Sequence, residues 1–141
     1  MVLDMRLHVT AGCQELGWLV DNRPPEEGIV QPGLRIGHYD DPDYIKLAQH
    51  VLSEPSFGEL GRHQAITSVL EKLYGRGVET GVGDVIRAFG PGQPELATKP
   101  HQEHFYLGGS TELWIAWLPL GDCPAELGGL AVLPGSHREG L

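Results

Sequence analysis

His101 and Glu103 stand two positions apart in the run His101 to Leu107 (HQEHFYL). An imidazole nitrogen and a carboxylate oxygen are both good ligands for divalent transition metals. On an extended strand, side chains at i and i+2 share a face. His101, Glu103 and Phe105 are therefore predicted to project together, with Gln102, His104 and Tyr106 on the other side. Such a pair supplies two corners of a 2-His-1-carboxylate triad, the arrangement that leaves open positions on iron for a cosubstrate and O2. By spacing alone H-x-E is a weak sign, because an ordinary surface or partly buried His/Glu pair is its commoner source. A zinc hydrolase is a poorer reading, since no H-E-x-x-H occurs.

The elements that must hold this pair follow from the apolar spacing. Val2, Leu3, Met5, Val9, Leu16, Leu19 and Val20 fit a loosely amphipathic first helix, predicted to break near Gly12 and Gly17. Residues 22–37 (NRPPEEGIVQPGLRIG) read as a loop from their Pro and Gly content. Asp41-Pro42 is a good helix start, with Asp as N-cap and Pro at the first helical position. Tyr44, Ile45, Ala48, Val51 and Leu52 follow at helical spacing, and Pro55 stops the run. Ile66, Val69, Leu70 and Leu73 make another stripe, closed by Gly75. These helices read as a packing layer, and His8, His38, His50 and His63 as scattered structural residues. After Val78 the period changes. Residues 84–89 (DVIRAF, bounded by Gly83 and Gly90-Pro91-Gly92), 101–107, 112–120 (ELWIAWLPL) and 130–133 (LAVL) are predicted strands. Helices followed by short strands suggest an α+β or helix-buttressed jelly-roll fold.

Composition narrows the partners. A net charge of -9 and a pI near 5.1 argue against a nucleic-acid or anionic-membrane partner. No run approaches a membrane span and the N-terminus lacks a signal-peptide core, so the expected location is cytoplasmic. Cys13 and Cys123, far apart and outside any C-x-x-C pair, read as reduced thiols.

The segment Pro100 to Leu141 (PHQEHFYLGGSTELWIAWLPLGDCPAELGGLAVLPGSHREGL) closely resembles the phytanoyl-CoA dioxygenase family. There a strand carrying H-x-D is followed by W-x-P-L, an acidic turn and G-G-L-x-V-L-P-G-S-H. With the preceding VIRAFGP stretch, the resemblance covers about the last 60 residues strongly and the helical region more weakly. It implies a mostly β double-stranded β-helix, the cupin-like jelly roll, with an N-terminal helical layer. It also implies Fe(II) as metal and 2-oxoglutarate as cosubstrate. His101 matches the first metal histidine and Glu103 stands at the carboxylate position. Trp117 matches an aromatic lining the cosubstrate pocket. Tyr106 and Arg87 are candidates for contact with substrate.

Two departures bear on these roles. The family has Asp where this chain has Glu103, whose extra methylene shifts the oxygen by about 1.5 Å. The family's distal metal histidine and its 2-oxoglutarate-binding arginine lie downstream of L-P-G-S-H, so His137 is not assigned to the metal. The expectation is therefore one incomplete domain over 1–141, with a helical layer at 1–77 and the first jelly-roll strands at 78–141. The expected function is oxidative hydroxylation of a small organic substrate using O2. The alternative is a non-catalytic or degenerate cupin-like binding or structural module.

Overall fold

The computed structural model describes residues 1–80 and 84–140. The chain divides into two units, Met1–Ala97 and Thr98–Leu141.

In the first unit α1 spans Val2–Glu15, α2 Pro42–Leu52, α3 Pro55–Gly61 and α4 Gln64–Tyr74. The start of α2 forms as its sequence predicts. The Asp41 carboxylate accepts from the Asp43 and Tyr44 amides, and Pro42 occupies the first helical position where no amide donor is needed. Pro55 likewise opens α3, whereas α2 has already ended at Ser53. The α4 stripe ends at Gly75, which takes the left-handed conformation (φ 66°) that favours glycine. Between α1 and α2 a single antiparallel bridge joins Leu19 to Val30, and the Gln31 side chain donates to the Leu19 carbonyl at 2.9 Å.

The core of this unit is Met5 from α1, Tyr44, Leu47 and Val51 from α2, Leu60 from α3, and Trp18, Leu19, Ile36 and Ile86 from the loops. Burial raises the Tyr44 phenol above its ordinary pKa, and its hydroxyl donates to the Ile86 carbonyl at 2.7 Å. Gln93, also buried, docks on one residue of the distant loop. Its Oε1 accepts from the Ile36 amide (2.8 Å) and its Nε2 donates to the Ile36 carbonyl (2.9 Å). Gly90 makes this possible, since a Cβ there would stand 2.1 Å from Gln93 Oε1.

Gly12 does not break α1, contrary to expectation; the helix runs through it to Glu15. The residue is small for a packing reason. A Cβ at Gly12 would lie 2.8 Å from His50 Cδ2 and 3.1 Å from Leu47 Cδ1 on α2. Alanine normally stabilises a helix interior relative to glycine by about 1 kcal/mol. Here Gly12→Ala is expected to lower stability by about 1–2 kcal/mol, because the overpacking outweighs the propensity gain. Chemical denaturation of the two chains checks the sign.

Cys13 is half-buried, and burial pushes its thiol from 9.0 up to about 11. The raised value favours the protonated form in the folded state. Its contribution to stability is present below about pH 9 and lost as pH rises through about 11. Iodoacetamide at pH 8 is expected to modify exposed Cys123 at least about tenfold faster than Cys13, as read by peptide mass mapping.

The predicted mostly β jelly roll is overturned: among the described residues no strand or sheet forms, and helices and turns are the regular elements. Segments 84–89, 112–120 and 130–133 lie outside helices and without ladder pairing. Alternation and β-branched composition set only a preference for extended backbone, whereas a sheet needs a second strand in register to take up the amides and carbonyls. Gly83, read as the boundary before the first strand, lies outside the described residues.

The second unit is built of turns. It contains the short helix α5 (His104–Leu107) and two 3-10 turns, Ala125–Leu127 and Ser136–Arg138. The Gln102 side chain donates to the Gly140 carbonyl at 2.9 Å, and the Cys123 thiol donates to the Gly128 carbonyl at 2.9 Å. Among the described residues no helix of either unit is long and apolar enough to cross a membrane.

Candidate functional site

The segment predicted as the metal-bearing strand is a loop running into a helical turn. His101 and Gln102 are irregular, Glu103 caps the turn with helical backbone angles (φ -62°, ψ -28°), and residues 104–107 form α5. The Glu103 carbonyl accepts from the Tyr106 and Leu107 amides at 2.9 and 3.0 Å, which turns the chain back on itself.

This geometry changes which side chains meet. His101 Nε2 lies 3.1 Å from Glu103 Oε1, so the pair is adjacent as expected, although not through strand alternation. Phe105, expected beside them, is 70% exposed. Tyr106, expected on the opposite face, sets its ring edge-on to His101 at 5.2 Å between centroids. His104 Nδ1 and Gln102 Oε1 are buried with no hydrogen-bond partner among the described residues.

The proton positions on His101 are constrained. Its Nδ1 lies 2.7 Å from the Lys99 carbonyl. A carbonyl only accepts, so Nδ1 carries the hydrogen. In the neutral ring Nε2 then presents a lone pair toward a carboxylate oxygen, and two acceptors at 3.1 Å need a proton or a cation between them. Metal-bound histidines are commonly anchored in this way, one nitrogen donating to a carbonyl and the other facing the ion. By donor type the residues present, an imidazole and a carboxylate 3.1 Å apart, fit two ligands of a metal. Among the described residues no group of three His, Cys, Asp or Glu side chains converges.

The remaining candidates are placed as follows. Trp117 is 45% exposed, and its ring reaches the backbone of Gly129, where a Cβ would stand 4.0 Å away. His137 sits exposed on the last 3-10 turn. Arg87 belongs to the first unit, where its guanidinium lies over the Tyr39 ring at 4.8 Å. It borders a shallow concavity lined also by Gly37, His38, Tyr44 and Phe89. Tyr39 and the Lys99 carbonyl were not legible as partners in the sequence. Tyr39 meets Arg87 only through tertiary folding, and no residue type marks a carbonyl.

Comparison with known proteins defines the class first. The chain is 29% identical over 143 residues to a 1-deoxypentalenic acid 11-beta-hydroxylase of Streptomyces arenae, covering 99% of this chain and 49% of the relative. It is 30% identical over 142 residues to the enzyme of the same name from Streptomyces exfoliatus, covering 98% and 49%. The chain belongs to the phytanoyl-CoA dioxygenase (PhyH) family, whose model matches residues 33–141. It spans about half the length of these curated relatives. No solved structure matches it.

Proposed function

We propose that this chain carries two ligands of the iron site of an Fe(II)/2-oxoglutarate-dependent hydroxylase acting on a small organic substrate. The observation that carries the reading is the His101–Glu103 pair: donors 3.1 Å apart, with the imidazole anchored through Nδ1. Both relatives are named hydroxylases, and the family is that of a dioxygenase. Bound iron and 2-oxoglutarate would supply the oxidising chemistry; the chain supplies ligation and orientation.

In this reading His101 and Glu103 would hold the metal, and the Lys99 carbonyl fixes the imidazole tautomer. Tyr106, edge-on to His101, forms a wall beside the metal. Trp117 lines the cosubstrate pocket. Arg87, in the first unit, is the candidate there for a substrate contact, its guanidinium held over the Tyr39 ring. Both relatives are named for an acid, and a planar guanidinium suits a carboxylate.

The test is anaerobic addition of Fe(II) and 2-oxoglutarate. A weak visible charge-transfer band that requires both supports the proposal. Absence of a band, together with no binding of Mn(II) to the chain, would overturn it. A second reading, a non-catalytic binding or structural module, is favoured by the lack of a converging third ligand among the described residues. That reading predicts metal binding without any 2-oxoglutarate-dependent band.

A further inference from the structure

Arg87 is held at both ends by a closed circuit of contacts, all within Met1–Ala97. Its guanidinium lies over the Tyr39 ring at 4.8 Å. That ring makes T-shaped contacts with Tyr44, at 5.5 Å between centroids, and with His38, at 4.3 Å. The Tyr44 hydroxyl in turn donates at 2.7 Å to the carbonyl of Ile86, the residue before Arg87. Tyr44 thus supports both the ring beside the guanidinium and the backbone that launches the side chain. An arginine on an open surface gives up much rotamer freedom when it binds an anion. Here the Tyr39 ring has already restricted it, and such preorganisation lowers the cost of binding.

The surroundings supply the rest of a small site. Arg87 and Phe89 line one concavity together with Gly37, Tyr39, Tyr44 and Leu96. Gln93 bonds to Ile36, next to Gly37, and so brings Leu96, three residues on, to the same wall. The carboxylates of the neighbouring segments are directed elsewhere. Asp41 caps α2, Asp43 pairs with Lys46, and Glu95 pairs with Arg35. Asp84 Oδ1 lies beside Gly61, where a Cβ would stand 3.6 Å from it, and Asp40 is exposed.

We propose that this concavity binds a small monocarboxylate with an apolar body, with Arg87 as its anchor and Tyr39 as the positioning residue. The proposal rests on the reading of Arg87 as a substrate contact and deepens it by naming what selects the ligand. The guanidinium fork takes the carboxylate through two parallel hydrogen bonds. Phe89 and Leu96 offer the apolar wall for the body. Among the described residues Arg87 is the one lysine or arginine lining the concavity. One cation answers one carboxylate, whereas a phosphate dianion finds no second cation on that wall and meets a chain of net charge -9. The concavity is shallow, so the ligand is small and the guanidinium contact weakens as salt rises.

Nuclear magnetic resonance titration of the full chain with cyclohexanecarboxylate, in EDTA and without iron or 2-oxoglutarate, tests the site. The acid is expected to shift the amide resonances of residues 37–39 and 86–89 to saturation. Cyclohexanecarboxamide, acetate and inorganic phosphate should each bind at least about tenfold more weakly. Arg87→Gln is expected to lower affinity for the acid at least about tenfold and to erase the preference for acid over amide. Tyr39→Leu keeps the cation but removes its support, and should weaken the acid by at least about threefold. Tyr39→Phe should bind as the parent chain does. If Arg87→Gln does not fold, the Tyr39 variants and the acid–amide comparison carry the test. Equal binding of acid and amide would overturn the proposal, as would unchanged affinity in Arg87→Gln or a preference for phosphate. Equal affinity in Tyr39→Leu and Tyr39→Phe would remove Tyr39 from its role. Acid binding without the charge-transfer band of the iron test counts against the hydroxylase reading alone. The band without acid binding counts against this site alone.

Discussion

Glu103→Ala is expected to weaken Mn(II) binding, measured by electron paramagnetic resonance of the free ion, by at least about 100-fold. Losing an anchoring partner around a metal ligand already costs about 10–100-fold, and Glu103 is proposed as the ligand itself. His101→Ala should behave alike. Glu103→Asp is the informative control. It restores the residue usual in the family, keeps the charge and shortens the reach. Binding retained or strengthened in Glu103→Asp, together with loss in Glu103→Ala, is the expected pattern. Equal affinity in the parent chain and all three variants would show that the 3.1 Å pair is an ordinary surface contact. The circular dichroism of α1 to α4 should be unchanged throughout, because the pair lies in the other unit.

The second large effect is expected at Gln93. Its side-chain amide satisfies both the amide and the carbonyl of Ile36, in a buried setting. Gln93→Ala leaves two buried backbone groups without partners, at about 1–3 kcal/mol each. A loss of about 2–5 kcal/mol in urea denaturation is expected. Gln93→Glu keeps the acceptor for the Ile36 amide but sets a carboxylate against the Ile36 carbonyl. It should be as damaging near neutral pH and partly recover on acidification, when the protonated acid can again donate. Gly90→Ala should act in the same direction, since its Cβ would occupy the place of Gln93 Oε1.

The helical half was readable where a local signal exists. Asp41-Pro42 marked the start of α2 and Gly75 the end of α4, because capping is settled within a few residues. Gly12 misled for the converse reason. Its role lies in its neighbours on α2, which its own sequence context does not reveal. Leu47, wholly buried between Tyr44 and Val51, was missed in the apolar stripe although it belongs to the same face. The strands failed because pairing is non-local: DVIRAF and ELWIAWLPL carry β-preference but not the identity of a partner.

The candidate site shows the same division. The choice of His101 and Glu103 as a pair came from residue type, and their adjacency is present. The choice of Phe105 as their companion came from a strand period of two. The helical turn of α5 replaces it with Tyr106. The Ile36–Gln93 clasp and the Arg87–Tyr39 stack each join residues dozens of positions apart, where no periodicity reaches.

The two cysteines offer a practical handle. Cys13 is half-buried in the first unit, with its thiol pKa raised to about 11, and Cys123 is exposed in the second. A thiol-reactive fluorophore added briefly at neutral pH should therefore attach at one position without mutagenesis. Its emission would follow the half of the chain that holds His101 and Glu103, leaving the helical half unlabelled. Metal addition could then be recorded as an optical signal from that unit alone, in a single preparation.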